Sequence, residues 1–176
     1  MKELLTGETY KKSYIAIPIT GQLFETVQRL NGNKKFYHLT IFFMGRINDS
    51  DLTETKELLS SIPETNSNLQ IIPEGLSFTG GVKEAFVLKV KKTDWLMHLR
   101  ELFEKSQFNN KSRIDQFEPH ITIEVARRGV FSRYDRTRYL QAAKINRNLE
   151  PCIAEMLGLY YRTEEGATAL LLSKKL

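Results

Sequence analysis

Apolar and polar positions alternate along this chain with two periods, one extended and one helical, and the two take turns. Residues 13–19 (SYIAIPI) form a short apolar run that predicts a first strand. Residues 21–30 carry Leu23, Val27 and Leu30 at helical spacing, and Asn31-Gly32-Asn33 marks the turn that ends that helix. A second strand is predicted over 36–44 (FYHLTIFFM), closed by Gly45. Ser50 or Asp51 can cap a helix running to about residue 61, with Leu52, Leu58 and Leu59 apolar. After a loop over 63–68, residues 69–78 are extended but interrupted by Pro73 and Gly75, the sign of a bulge or an edge strand. Gly80-Gly81 turns the chain into a strand over 85–90 (AFVLKV). Thr93 or Asp94 caps a helix to about residue 107, with Leu96, Leu99, Leu102 and Phe103 on one face. A polar loop over 109–118 leads through Pro119 into a strand over 120–127. Residues 129–148 are basic, with a short helix expected near 134–143. Residues 152–161 and 167–173 predict a terminal hairpin joined by Thr163-Glu164-Glu165-Gly166.

This order of elements predicts an α+β fold with a largely antiparallel sheet. No repeat of 20–50 residues and no low-complexity segment interrupts it. The first strand is not followed by a Gly-rich phosphate loop, which argues against an open nucleotide-binding sheet.

Composition narrows the class. At 176 residues the chain is expected to form one domain over 1–176, or two small lobes sharing a core, and needs neither a disulfide nor a metal to fold. With 41% hydrophobic and 27% charged residues it is neither a disordered tail nor a collagen-like repeat. No apolar run approaches the ~20 residues of a membrane span, and residues 1–12 lack the apolar segment of a signal peptide. The single cysteine, Cys152, excludes an internal disulfide. A soluble cytoplasmic protein, monomeric and with no obligate protein partner, is the expectation. The formal charge of +5 suits an anionic ligand such as a nucleotide or an RNA end, although many soluble domains carry as much without binding one.

The candidate chemistry lies in the histidines. There are three, and two share a pattern: His38-Leu39-Thr40 and, 82 residues on, His120-Ile121-Thr122. Both fall in predicted strands, where alternation puts each histidine on the same side as its threonine. Leu39, Ile41 and Phe43 are expected opposite His38, Thr40 and Phe42; Ile121, Ile123 and Val125 opposite His120, Thr122 and Glu124. Two imidazoles can supply the base that activates water and the acid that protonates a leaving oxygen, because their ordinary pKa lies near working pH. Two threonine hydroxyls can hold non-bridging phosphate oxygens between them. That set opens a phosphodiester without a metal, and the sequence has no Cys/His cluster with ligand spacing. Taken singly, a strand histidine is more often structural and a strand threonine a good strand former. It is the pair of pairs that carries the signal. His98, between Met97 and Leu99 in a predicted helix, reads as structural or surface.

The two motifs and their settings resemble the two-histidine (2H) phosphoesterase superfamily. Tyr37-His38-Leu39-Thr40-Ile41-Phe42-Phe43-Met44-Gly45 is similar to that family's first motif strand, and Glu118-Pro119-His120-Ile121-Thr122-Ile123 to its second. Within the superfamily the likeness is to the LigT-like group, the RNA 2',3'-cyclic phosphodiesterases or 2'-5' RNA ligases. It implies a bilobal α+β fold with two antiparallel-sheet lobes and flanking helices around a central cleft, related by a pseudo-twofold axis. It implies His38 and His120 as the acid–base pair, Thr40 and Thr122 as phosphate holders, and no metal or cofactor. The implied substrate is an RNA 2',3'-cyclic phosphate end or, as in relatives that cleave nucleotide signals, a cyclic or 2'-5'-linked oligonucleotide. A nucleotide-binding module without turnover is the remaining alternative. Tyr37, Phe42, Phe78 and Phe36 are candidates to stack a base, or to pack the core. Arg127, Arg128 and the basic run over 133–147 are candidate phosphate contacts, or a solvated face. Of Tyr160 and Tyr161, which fall on opposite faces of a late strand, one is expected to meet the cleft. The sequence departs from the family where LigT-like enzymes often carry an arginine three residues past the second threonine: Val125 stands there. Glu124 is expected on the motif side, where its carboxylate would repel phosphate.

Overall fold

The computed structural model describes residues 10–30, 36–64, 69–79, 83–106, 108, 117–127, 137, 140 and 149–176. Its elements run β1 (Tyr10–Pro18), α1 (Gly21–Leu30), β2 (His38–Ile47), α2 (Asp49–Ser61), β3 (Gln70–Ile71), β4 (Pro73–Thr79), β5 (Lys83–Val90), α3 (Asp94–Glu104), β6 (His120–Arg127), β7 (Cys152–Ile153), β8 (Met156–Arg162) and β9 (Thr168–Lys175). The expected turns at Asn31-Gly32-Asn33 and Gly80-Gly81, most of the loop over 109–118, and the basic stretch after residue 127 apart from Thr137 and Leu140 lie outside the described residues.

Seven strands form one antiparallel sheet in the order β4-β5-β6-β2-β1-β8-β9, and β3 pairs with β7 separately. The sheet has two halves. In each, a strand and a helix precede the motif strand, which then lies beside the strand it followed: β1-α1-β2 on one side and β5-α3-β6 on the other. The halves meet where β2 pairs with β6, at Leu39 and Ile121. The two lobes implied by the resemblance are these halves. β4 is an edge strand with a register shift between Pro73 and Gly75, as those residues predict.

One apolar core lies on the helix side. Leu39, Ile41, Ile121 and Ile123 are fully buried there with Ile15 and Ile17 of β1, Leu23 and Val27 of α1, Leu52 and Leu59 of α2, and Leu96, Leu99 and Phe103 of α3. The apolar stripe of each helix thus covers the sheet face that alternation predicts. Details of the boundaries differ from expectation. Helix α2 starts earlier, because Asn48 rather than Ser50 or Asp51 caps it: the Asn48 side chain accepts from the Asp51 N–H, and the Asp51 carboxylate accepts from the Asn48 N–H. Strand β2 continues through Gly45 to Ile47, because Gly45 takes a positive φ of 76° inside an irregular stretch of the β1–β2 pairing instead of ending the strand.

Both motif strands carry a bulge at the residue after the threonine. Across β1, Ala16 pairs with Thr40 but Ile15 pairs with Phe42, so Ile41 is the extra residue. Across β5, Val87 pairs with Thr122 but Phe86 pairs with Glu124, so Ile123 is the extra residue. A bulge puts two successive side chains on one side and reverses the alternation beyond it. Phe42 therefore turns into the core with Ile41, and Phe43, expected inside, is 43% exposed. In β6 the same step leaves Val125, also expected inside, 50% exposed, while Glu124 pairs with the fully buried Phe86 rather than continuing the row of His120 and Thr122.

The bulge in β2 is tied to α3 by a buried charge. The Arg100 guanidinium is 1% exposed; it donates to the Ile41 carbonyl at 2.8 Å and to the Glu104 carboxylate at 2.6 Å, and sits over the Phe42 ring at 4.7 Å. Removing it strands a buried carbonyl at a position with no regular ladder partner. Arg100→Leu is expected to lower stability by about 1–3 kcal/mol, read as a lower urea midpoint, and to broaden the β2 amide signals around Ile41. An unchanged midpoint would mean that the bulge holds without this contact.

Candidate active site

The β2–β6 pairing is antiparallel, with Leu39 opposite Ile121. Counting one residue either way sets His38 across from Thr122 and Thr40 across from His120. All four side chains alternate with core residues, so they share the sheet face away from the described helices, and all four are half-buried. The arrangement is twofold about the Leu39–Ile121 pair: two imidazoles and two hydroxyls on neighbouring strands, each ring facing the other motif's threonine. Adjacent strands lie about 4.8 Å apart, a spacing at which four such groups can reach one tetrahedral phosphate.

The two histidines have different surroundings. The His120 ring is held by its own strand entry. Its Nδ1 lies 2.7 Å from the Glu118 carbonyl, which can only accept, so Nδ1 carries the proton and Nε2 of the neutral ring keeps its lone pair. That entry is pinned twice: the Val90 N–H donates to the Pro119 carbonyl, and Lys92 pairs with the Glu118 carboxylate at 2.6 Å. The hydrogen bond and charge of Lys92 hold the Glu118 carboxyl below its ordinary pKa. Beside His120 the surface opens into a cleft of about 330 Å³, lined by Lys89, Lys91, Lys92 and Glu74 among others.

His38 instead lies among aromatic rings. Tyr14 stacks on it with ring centres 4.9 Å apart, and Phe36 at 5.2 Å, each within 24° of parallel. Tyr160 closes the group, 5.9 Å from Tyr14 and 5.1 Å from Phe36. These residues and Ala16 form a second apolar cluster, separate from the main core and on the motif side of the sheet. Small residues make room for it: Ala16 pairs with both Thr40 and Gly158 across the sheet, and a Cβ on Gly158 would come within 2.6 Å of the Tyr160 ring. The Tyr160 hydroxyl is buried with no hydrogen-bond partner among the described residues. Burial, with Tyr14 nearby, pushes its pKa up to about 12, so it stays a neutral donor.

The other candidates divide. Of the aromatic contacts, Tyr160 lies in the motif-side cluster, as Phe36 does. Tyr37 and Phe42 do not: Tyr37 is 1% exposed against Phe24, and Phe42 is fully buried against Phe103. Neither can stack a base from there. Tyr37 falls one residue before the motif and so takes the core side, and Phe42 is carried there by the bulge. Phe78 packs against Phe86 at the margin of the main core, which places it in packing rather than at the motifs. Arg127 ends β6, but its side chain, like Arg128 and the basic residues of the run over 133–147, lies outside the described residues. His98 is exposed on α3, away from both motifs. Cys152 is buried and its thiol pKa is raised by that burial, which keeps it an unreactive packing group. Tyr14 and Lys89 were not singled out from the sequence. Tyr14 was legible in principle, since it alternates with Ile15 and Ile17; Lys89 depends on the β5–β6 register, which no local pattern encodes.

Among the described residues, no helix is long and apolar enough to cross a membrane, and no three His, Cys, Asp or Glu side chains are grouped to hold a metal ion.

No protein-family model and no curated protein matches the chain. Solved structures do. Escherichia coli LigT in its apo form superposes with a TM-score of 0.64 at 15% identity, covering 96% of this chain and 99% of that one. TT0787 of Thermus thermophilus gives 0.63 at 14% identity, covering 94% and 97%. Usb1 of Kluyveromyces marxianus gives 0.59 at 10% identity, covering 95% and 99%. The chain therefore has the LigT-like α+β fold over nearly its whole length. LigT has also been solved with 3'-AMP and with ATP.

Gly158→Ala tests the aromatic cluster. The new methyl must displace the Tyr160 ring, at an expected cost of about 1–3 kcal/mol. The His38 ring-proton NMR signals, shifted by the stacked neighbours, should move with it. Unmoved His38 signals would mean that the rings repack without disturbing the histidine.

Proposed function

We propose that this chain is a 2H phosphoesterase: a metal-independent phosphodiesterase for an RNA or nucleotide phosphodiester, opening a terminal 2',3'-cyclic phosphate to a 2'-phosphate. The observation that carries the reading is the antiparallel pairing that sets His38 against Thr122 and Thr40 against His120 on one open face. The fold shared with LigT, solved with 3'-AMP and ATP, supports the substrate class.

In this reading the threonine hydroxyls donate to the two non-bridging oxygens and hold the phosphorus between the rings. The different surroundings of the two histidines support a division of labour. His120, with Nδ1–H engaged by the Glu118 carbonyl, offers Nε2 as the base. His38, stacked against Tyr14 and Phe36 across the phosphate from that base, is left to serve as the acid. Water gives its proton to His120 Nε2 as its oxygen bonds to phosphorus. The bond from phosphorus to the 3' oxygen breaks, and that oxygen takes the proton from His38. Proton exchange with solvent then resets both rings.

The test is turnover of a 2',3'-cyclic-ended oligoribonucleotide with EDTA present, beside 2'-5' oligoadenylate and cyclic dinucleotides. Wild type should release a 2'-phosphate, and His38→Ala or His120→Ala should each cost about 10² to 10⁴ in rate while leaving the circular dichroism spectrum intact. The pH profile should be bell-shaped, because one ring must be neutral and the other protonated. Glu118 titrates below its ordinary range, so its pair with Lys92 is present above that lowered pKa and is lost only as pH falls through it. The acid limb should therefore report a histidine rather than Glu118. Turnover retained in both histidine variants would overturn the assignment; EDTA-sensitive turnover would overturn metal independence.

A further inference from the structure

We infer that the lysine-lined cleft beside His120 is a subsite, contacted through Lys89 and Lys91, for the phosphates of the nucleotides next to the reacting one. The inference rests on the phosphodiesterase reading above and deepens it.

Position comes first. The cleft is lined by Lys89, Lys91 and Lys92 and by His120 itself, so it opens directly on the reacting space. Lys89 is registered opposite His120 on the adjacent strand, and Val87 opposite Thr122. Side chains of a registered pair share a sheet face, so Lys89 leaves β5 on the catalytic face, one strand spacing from the histidine. The backbone behind these lysines is fixed. The Val90 N–H donates to the Pro119 carbonyl at 3.0 Å, and the Lys91 N–H to the Ile72 carbonyl at 2.8 Å.

Charge comes second. Two carboxylates, Glu74 and Glu118, line the same cleft. Glu118 is paired with Lys92 at 2.6 Å. That leaves Lys89 and Lys91 against Glu74, an excess of one positive charge held in a concave space. Both lysines are exposed and able to turn toward a ligand.

The asymmetry of the site gives the ligand. On the His38 side the described surroundings are the uncharged rings of Tyr14, Phe36 and Tyr160, of which the partly exposed Phe36 is the one open to a base. On the His120 side they are cationic. A cyclic mononucleotide carries one phosphate, which the threonines take, and brings no second anion for Lys89 and Lys91. An RNA strand brings one phosphate per nucleotide, and lysines that track a backbone carry no sequence preference.

The experiment compares a 2',3'-cyclic mononucleotide with a 2',3'-cyclic-ended pentaribonucleotide, using wild type, Lys89→Gln, Lys91→Gln and, as a control far from the cleft, Lys56→Gln. For wild type, the pentanucleotide should have the lower KM at low salt, and that advantage should shrink as salt rises. Lys89→Gln should raise the pentanucleotide KM about fivefold, with a smaller effect on the mononucleotide. It should also flatten the slope of log affinity against log salt by about 0.7. Lys56→Gln should behave as wild type. Equal KM values for the two substrates, or a Lys89→Gln loss equal on both, would overturn the subsite and leave the phosphodiesterase reading standing. If wild type turned over neither substrate, that reading would fail. The subsite would then be judged by fluorescence anisotropy of a labelled pentaribonucleotide: weaker binding by Lys89→Gln supports it, and unaltered binding overturns it.

Discussion

The site depends on one cross-strand contact, the antiparallel pairing of Leu39 with Ile121. Both residues are fully buried. Because side chains alternate, burying this pair forces the residues on either side of each onto the opposite face. Those residues are His38, Thr40, His120 and Thr122. The hydrophobic effect that joins the halves of the sheet is thus also what aims the polar groups. A slip of one residue in either strand would send its histidine and threonine into the core and its leucine or isoleucines into water.

The bulges after each threonine end the row of side chains that each motif starts. Without them, Phe42 and Glu124 would continue the rows of His-x-Thr side chains. With them, both strands reverse their alternation at once, and Phe43 and Val125 come to the open face instead. The carboxylate of Glu124 is thereby taken out of line with His120 and Thr122. In β2 the bulge is held by Arg100, a charge that the core tolerates because the Ile41 carbonyl, the Glu104 carboxylate and the Phe42 ring all receive it. A site on one face of the sheet is in this way anchored by a helix on the other.

The halves are alike in backbone and unlike in side chains. The order strand, helix, motif strand occurs twice, and so does the bulge. Around this shared frame, His38 is set among aromatic rings and His120 beside a backbone carbonyl and lysines. A symmetric pair of imidazoles would have no reason to divide into acid and base. The different surroundings break that symmetry and give the face a direction.

The sequence by itself determined most of the elements, though not the break of 69–78 into β3 and β4 or of 152–161 into β7 and β8, together with the two motifs and the side of each strand they occupy up to the threonine. These follow from local periodicity: α1 and β6 were legible to the residue, and the edge character of β4 from Pro73 and Gly75. The tertiary structure decided what local pattern cannot carry. Phe42 and Val125 were expected on the wrong faces because a bulge depends on the partner strand, and a run such as IFFM has no alternation to betray it. Tyr37 and Phe42 are core residues and Tyr14 a site residue for the same reason: aromatic rings serve both purposes, and only the packing of α1, α3 and β8 assigns them. Lys89 came to His120 through the register of β5 with β6, between residues far apart in the chain. Chemistry was written in residue type and spacing; the surroundings that tune it arose from contacts across strands, where the free energy of burial chooses which neighbours meet.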